Sequence, residues 1–491
     1  MMNEHGKSDR PIVPGKSPNQ AGGAAAEVTE GRGLAEGNLS QQNAFRTPNR
    51  ADAPSALERV RQTAKGKKDE KFTALMHHVY QIEALRTAYL ELKRQAAAGV
   101  DGETWRHYGE ALEENLQELS HRLKRGAYRA KPVRRVYIPK ADGRQRPLGV
   151  TALEDKIVQR ATVEVLNAIY ETDFLGFSYG FRPRRSQHDA LNALYRGLNE
   201  KKVNWVLEVD VRSFFDQLSH EWLVKFLKHR IADRRVLRLI QKWLRAGVLE
   251  GDEWRVQEEG SPQGGSASPL LANIYLHYVF DQWVQAWRKQ RAQGDVIVVR
   301  YADDIVVGFQ NKAEAEKFWE ELKERMQKFH LELHPEKTRL LEFGPHAVQT
   351  RRQRGDGRPE TFNFLGFTHI CGKTKKGRFL VVRQTIRKRL LAKLSQVKAE
   401  LELRMHDPLP EVGQWLKAVV GGHVRYYGVP TNGSALNRFR HVVAGFWHQS
   451  LSQRSQTGYV PWRRMKRLIN HWLPPTRIYH PYPSCRLRVT T

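Results

Sequence analysis

An apolar run interrupted by two adjacent carboxylates constrains this chain most: Val296-Ile297-Val298-Val299-Arg300-Tyr301-Ala302-Asp303-Asp304-Ile305-Val306-Val307-Gly308-Phe309. Four β-branched or aliphatic residues lead in and three lead out. That pattern predicts two buried strands joined by a tight turn whose tip presents Asp303 and Asp304. Like charges fixed side by side are costly unless a cation sits near them, and a carboxylate pair facing a cleft suits a hard metal ion. Aspartate is also an ordinary turn residue, so these residues alone fit a solvated turn equally well.

Other stretches supply partners for that turn. Val203 to Asp216 reads as a buried strand ending in Asp210, followed by Phe214 and Phe215, with Ser219 placed to cap the next helix. The segment Gly260-Ser261-Pro262-Gln263-Gly264-Gly265 is a glycine-rich turn feeding a helix, with Ser268 expected as its cap and Pro269 at its first position. Upstream, Val133–Pro139 and Gln145–Val150 flank Asp142-Gly143, a hairpin signal whose arms would bring Lys140 and Arg146 together. Phosphate gripping and a plain solvated basic hairpin both fit it. Ser186 and Asp189 form a capping box, which makes His188 a structural helix residue. The turn Phe181-Arg182-Pro183-Arg184-Arg185 adds arginines suited to backbone phosphates. A helix is expected over Ala313–Phe329, and Thr361–Phe367 reads as a short strand with a glycine inside.

Charge narrows the partner. A formal net charge of +29 over 491 residues calls for a polyanion. Residues 381–491 hold 19 Lys or Arg against 4 Asp or Glu, a net +15. There Trp415, Tyr426, Tyr427, Trp447, Trp462 and Trp472 interleave with Arg425, Arg463, Arg464 and Arg467. Cations mixed with stacking faces suit structured or single-stranded RNA, while about half of these aromatics are expected to form the core of a small helical domain. No apolar run approaches the roughly 18 residues of a spanning helix, so no membrane partner is expected. The two cysteines, Cys371 and Cys485, exclude a disulfide framework and a Cys-rich zinc site, and cytosolic residence is the default. Residues 1–55, rich in Gly, Ala, Asn, Ser and Pro, read as a disordered leader.

In order along the chain, these stretches resemble the boxes of group II intron reverse transcriptase–maturases. Tyr301-Ala302-Asp303-Asp304 resembles the signature box of reverse transcriptases, and Asp210 to Asp216 resembles the box carrying their first metal-binding aspartate. Pro262-Gln263-Gly264-Gly265 through Asn273 resembles their nucleotide-pocket box. Ala98-Gly99-Val100-Asp101-Gly102, Gly180-Phe181-Arg182-Pro183, Phe364-Leu365-Gly366-Phe367 and Val424-Arg425-Tyr426-Tyr427-Gly428 extend the likeness over about 56–482. The resemblance implies an α+β right-hand polymerase: N-terminal extension and fingers at 56–204, an antiparallel palm sheet backed by helices at 205–380, a helical thumb/maturase domain at 381–475 and a basic tail at 476–491.

Carried over residue by residue, it implies that Asp210 and Asp303 bind two Mg²⁺ ions, that Asp304 supports them and that Val211 lends a backbone carbonyl. Phe215 becomes the steric gate against a ribose 2′-hydroxyl, with Phe214 in the core; Gln263 lines the nucleotide pocket, Lys140 and Arg146 hold the triphosphate, and Leu365 and Gly366 form the primer grip. Lys337 is implied either to protonate pyrophosphate or to contact phosphate. Arg182, Arg425, Tyr426, Tyr427, Arg463, Arg464 and Arg467 are expected to contact RNA. The implied partners are an intron RNA, a DNA target or primer and dNTPs, in a bacterial cytosol near the nucleoid. The zinc-dependent nuclease carried by many relatives is expected to be missing, so that priming would come from an available DNA end. A domesticated reverse transcriptase, a splicing factor with a dead polymerase and an RNA-directed RNA polymerase remain as other readings.

Overall fold

The computed structural model describes residues 56–139, 145–251, 253–255, 259–260, 264–454 and 458–483. The leader expected at 1–55 lies outside them, as do Lys140, Gln263 and the end of the tail. The architecture is mixed α+β. A central helix, Leu153–Tyr170, is buried on nearly every side, polar Asp155, Gln159, Thr162 and Asn167 included, and leaves only Glu154 and the stripe Lys156, Arg160 and Glu164 less covered. The helices Ala56–Gly66, Met76–Tyr80 and Ile82–Glu91 pack on it. Its one buried acid, Asp155, accepts from the Tyr128 hydroxyl and from the Lys131 amide at 3.0 Å, and burial raises its pKa to about 6.

Three sheets follow. β1 (Val133–Pro139) and β2 (Gln145–Val150) form the expected antiparallel hairpin; β1 also pairs in parallel with β4 (Val248–Glu250), which pairs with β5 (Glu253–Arg255). The second sheet is antiparallel throughout. Its order is β6 (Val296–Tyr301), β7 (Asp304–Phe309), β3 (Trp205–Asp210), β8 (Arg339–Glu342). Alternate side chains of its strands enter two different cores: Val298, Ile305, Val307 and Val209 pack in one, and Ile297, Val299, Val306 and Val206 in the other. The helices Lys312–Lys328 and Gln187–Glu200 contact this sheet, and each of the two cores takes one of them. Both faces of β6 are therefore buried along its whole length, which is why it reads as a continuous apolar run and not as an alternation. The third sheet, β9 (Phe362–Phe364), β10 (Phe367–Lys373) and β11 (Phe379–Thr385), is antiparallel, and the boundary drawn at 380/381 falls inside β11, which stays paired with β10 to Thr385.

Beyond it, the helices Arg387–Leu403, Leu409–Tyr427, Gly433–Ser452 and Trp462–Trp472 enclose a third core in which Trp447 is wholly buried. Of the interleaved aromatics, Trp462 is exposed and Trp415, Tyr426, Tyr427 and Trp472 are half-buried. The capping box at Ser186 forms with Asp189. The Ser268 cap does not: the helix Ser268–Leu276 starts one residue earlier than expected, on Ala267, without a side-chain cap, because Pro269 already removes a free amide from its first turn. No described helix is long and apolar enough to cross a membrane.

Three buried histidines give the fold a pH dependence. Burial first, then neighbouring cations or another histidine, lowers His188, His369 and His423 to about 3. Above pH 6.5 they are neutral in both the folded and the unfolded chain. Below it only the unfolded chain takes up their protons, so stability falls as pH drops from about 6.5 toward about 3, by about 2 kcal/mol per histidine at pH 5. Thermal denaturation should show a Tm that is level from pH 7.5 to about 6.5 and falls steadily from there to pH 5. His369→Phe, which keeps the stack on Phe362 at 4.7 Å, should remove part of the slope. A Tm independent of pH over that range would refute the assignment.

Candidate active site

The aspartates meet where β3, β6 and β7 end. Tyr301 pairs with Asp304, so the β6–β7 turn consists of only Ala302 and Asp303, with Ala302 at φ +56°. Asp303 therefore occupies the turn proper while Asp304 is the first residue of β7, directly opposite Asp210 on β3. Residues opposed across an antiparallel pair share a face, and two carboxylates so placed repel each other. The protein supplies compensating cations from the start of β8 and the segment before it. Lys337 Nζ lies 3.3 Å from an Asp210 oxygen, and Arg339 donates at 2.8 Å to Glu208, two residues before Asp210 on the same face. Burial raises the Glu208 pKa, Arg339 opposes the rise and Asp304 adds to it.

Val211 follows Asp210 in a single antiparallel bridge to Leu333, flanked by hydrogen bonds from Arg212 N to Glu332 O and from His334 N to Asp210 O, both 2.8 Å. In that geometry the N–H and C=O of Val211 itself point away from Leu333. Among the described residues no three acidic, imidazole or thiol groups converge tightly enough to enclose a metal ion. The donors at hand nevertheless fit a divalent cation: three oxygen-bearing side chains at adjoining strand ends, two of them opposed like charges, with an ammonium already drawn onto one. An all-oxygen set suits a hard ion.

Next to this corner Ser213 turns the chain at φ +42°, and Phe214 and Phe215 open a short helix, Phe214–Gln217. Phe214 is buried against Tyr275, whereas Phe215 is half-buried, edge-on to Phe214 at 5.4 Å. Arg146 lies in β2 opposite Ile138. Leu365 and Gly366, at φ +46° and +86°, form the two-residue turn between β9 and β10.

One expected RNA contact needs correction. Arg182 is buried, not presented to phosphate: its guanidinium donates to Glu171 at 3.0 Å and to the carbonyls of Leu175 and Ser178 at 2.8 and 2.7 Å. Tyr426 donates from its hydroxyl to Leu365 O at 2.7 Å and stacks on Phe367, and the Tyr427 hydroxyl lies against Gly366, so both rings brace the Leu365–Gly366 turn. Arg425, Arg463, Arg464 and Arg467 are exposed. Arg300 and Asn273 escaped the sequence reading; both are buried behind the aspartate turn. A lone arginine inside a run of buried valines was the available signal, because a charge is not buried without partners.

Comparison with known proteins agrees with this geometry. The profile of the family described as "Reverse transcriptase (RNA-dependent DNA polymerase)" matches residues 138–369, which include all three aspartates. The chain is 36% identical over 323 residues to Protein YkfC of Escherichia coli K12, covering 60% of this chain and 81% of that protein. It is 37% identical over 222 residues to the group II intron-encoded protein LtrA of Lactococcus lactis subsp. cremoris, covering 45% of this chain but only 37% of that protein. A more distant relative, nuclear intron maturase 2 of Arabidopsis thaliana mitochondria, is 26% identical over 175 residues, covering 28% of this chain and 23% of that protein.

Proposed function

The chain belongs to the group II intron-encoded branch of the reverse transcriptases, and on that footing we propose that it copies RNA into DNA at the Asp210–Asp303–Asp304 corner and binds its intron RNA to promote splicing and insertion into DNA. The observation that carries this reading is the register that sets Asp304 opposite Asp210 with Asp303 in the adjoining turn.

In this reading the sheet β6-β7-β3-β8 is the palm, β1–β2 belongs to the fingers, and the helices from Arg387 onward form the thumb and maturase domain. Asp210 and Asp303 would hold two Mg²⁺ ions together with the Val211 carbonyl, and Asp304 would support the site. When bound, the metals activate the primer 3′-hydroxyl and stabilise the leaving pyrophosphate. The chain's own groups do the positioning, which is most of what phosphoryl transfer asks of a protein. Lys140 and Arg146 grip the triphosphate and Gln263 lines its pocket. Leu365 and Gly366, braced by Tyr426, carry the primer end. Lys337, which sits on Asp210 in this structure, would either protonate the departing pyrophosphate or contact phosphate. Exposed Arg425, Arg463, Arg464 and Arg467 contact RNA phosphates.

Primer extension on poly(rA)/oligo(dT) with dTTP and Mg²⁺ tests the reading: extension is expected, and RNA binding without extension would leave a splicing factor with a dead polymerase. The same assay tests the gate. Phe215→Ala should lower discrimination against ribonucleotides roughly a hundredfold, equivalent to about 2.7 kcal/mol. A wild type that already accepts NTPs as well as dNTPs would refute the role given to Phe215.

A further inference from the structure

Arg300 is wholly buried at the end of β6, two residues before the turn that carries Asp303. Its donors are all spoken for. Nε and Nη2 form a two-pronged pair with Asp281 at 2.7 and 2.6 Å; Nη2 also donates to Ser178 Oγ at 2.7 Å; Nη1 donates to Asn273 Oδ1 at 2.9 Å and to the Ala302 carbonyl at 3.1 Å. A guanidinium has five N–H groups in a rigid plane, and here five acceptor contacts meet them. The Ala302 carbonyl is the informative one, because it belongs to the turn itself.

Those partners come from separate parts of the chain and are tied to one another. Asn273 donates from Nδ2 to Gly180 O at 2.6 Å, and Gly180 packs so closely on the Ala302 amide that a Cβ there would stand 2.3 Å from it. The segment around Ser178 bridges β6 in parallel, Tyr179 N donating to Arg300 O and Arg300 N to Phe177 O at 2.8 and 2.9 Å. Buried Arg182 pins the same segment through the Ser178 carbonyl at 2.7 Å. Asp281 closes a π-helical stretch, His277–Asp281, between the helices Ser268–Leu276 and Gln282–Gln290. A π-turn rotates the side chains that follow it relative to the preceding α-helix and is common at functional sites.

We propose that Arg300, anchored by Asp281 and shared with Asn273 and Ser178, is a positioning residue that fixes the Ala302–Asp303 turn so that the aspartates can close on metal. This rests on the polymerase reading given above. The physical reason is economy of alternatives: a two-residue turn with a non-glycine residue at positive φ is strained, and strained turns persist only where the surroundings over-determine them. A fold-only role would need the Asp281 pair but not the bond to Ala302. A positioning role needs both.

Two variants separate these. Arg300→Lys keeps the charge but has a single nitrogen, which cannot reach Asp281 and the Ala302 carbonyl in one plane. The double variant Arg300→Met with Asp281→Leu removes the buried pair altogether and fills its space, a replacement that buried pairs often tolerate. With wild type extending a primer on RNA as reference, R300K should lose about thirtyfold or more in kcat at saturating dNTP, and its half-maximal Mg²⁺ concentration should rise several-fold. Its RNA affinity should stay within twofold of wild type. The double variant should match or exceed the Tm of R300K while remaining at least thirtyfold slow, and Mn²⁺ should restore part of the rate in both. Wild-type kcat and Mg²⁺ dependence in either variant would overturn the proposal, as would RNA affinity falling in step with kcat in R300K, which would mark a global defect. A wild type that does not extend at all would instead overturn the polymerase reading, and the assignment of Arg300 with it.

Discussion

Asp303→Ala is expected to abolish primer extension, with kcat falling at least a thousandfold, or about 4 kcal/mol in barrier height, while leaving the protein folded and bound to RNA. The stability side of this result is as specific as the catalytic side. Asp303 adjoins a pair of opposed like charges, Asp210 and Asp304, so removing its carboxylate relieves repulsion there and Tm should change little. A dead enzyme of nearly unchanged stability is what a site built for a metal ion predicts. Asp304→Ala should cost less, because Asp304 is expected to support the metals and not to bridge them. If Asp303→Ala retained a tenth of wild-type kcat, or if Asp304→Ala were the more damaging, the division of labour proposed between the two neighbours would be wrong.

Gly180→Ala is the second large effect expected. Its backbone is not at positive φ, so the glycine is needed for space and not for conformation. A Cβ would stand 2.3 Å from the Ala302 amide nitrogen and 2.9 Å from the Tyr301 carbonyl carbon, and backbone cannot swing aside as a side-chain tip can. Something must shift, and what lies there is the aspartate turn. Overpacking of this kind costs roughly 1–3 kcal/mol of stability. The extension rate should fall further, about a hundredfold, because the displaced element carries the chemistry. Gly445→Ala is the control. It lies within the helix Gly433–Ser452 with nothing within 4 Å of its would-be Cβ, and there alanine should be neutral or stabilising by about 0.5–1 kcal/mol. Equal losses from both glycines, measured as kcat and Tm, would contradict the argument.

Local patterns in the sequence were enough for the parts governed by near neighbours. The β6–β7 hairpin, the strand ending in Asp210, the Ser219 cap and the Ser186–Asp189 capping box all depend on residues within a few positions of one another, and each appears as read. The different surroundings of Phe214 and Phe215 were implied by the family resemblance and not by local pattern; the structure buries the first and leaves the second half-exposed. Ser268 shows the limit even there, one residue of register separating a cap from the first turn.

What only the tertiary structure decided is where each charge goes. Arg182 and Arg300 are both arginines beside a turn, yet the first clamps Ser178 and the second clamps Ala302, because Glu171 and Asp281 fold back to meet them. Tyr426, half-buried, braces Leu365, a partner 61 positions away that no local pattern announces. The physical reason is common to all three. Hydrophobic period and turn chemistry are written into adjacent residues, whereas the burial of a polar side chain is settled by partners that the chain brings together only when it is folded, and an unpaired group costs too much to bury without them. The sequence thus determined that Asp210, Asp303 and Asp304 exist at strand ends; the fold decided that they stand together, and which arginine holds them there.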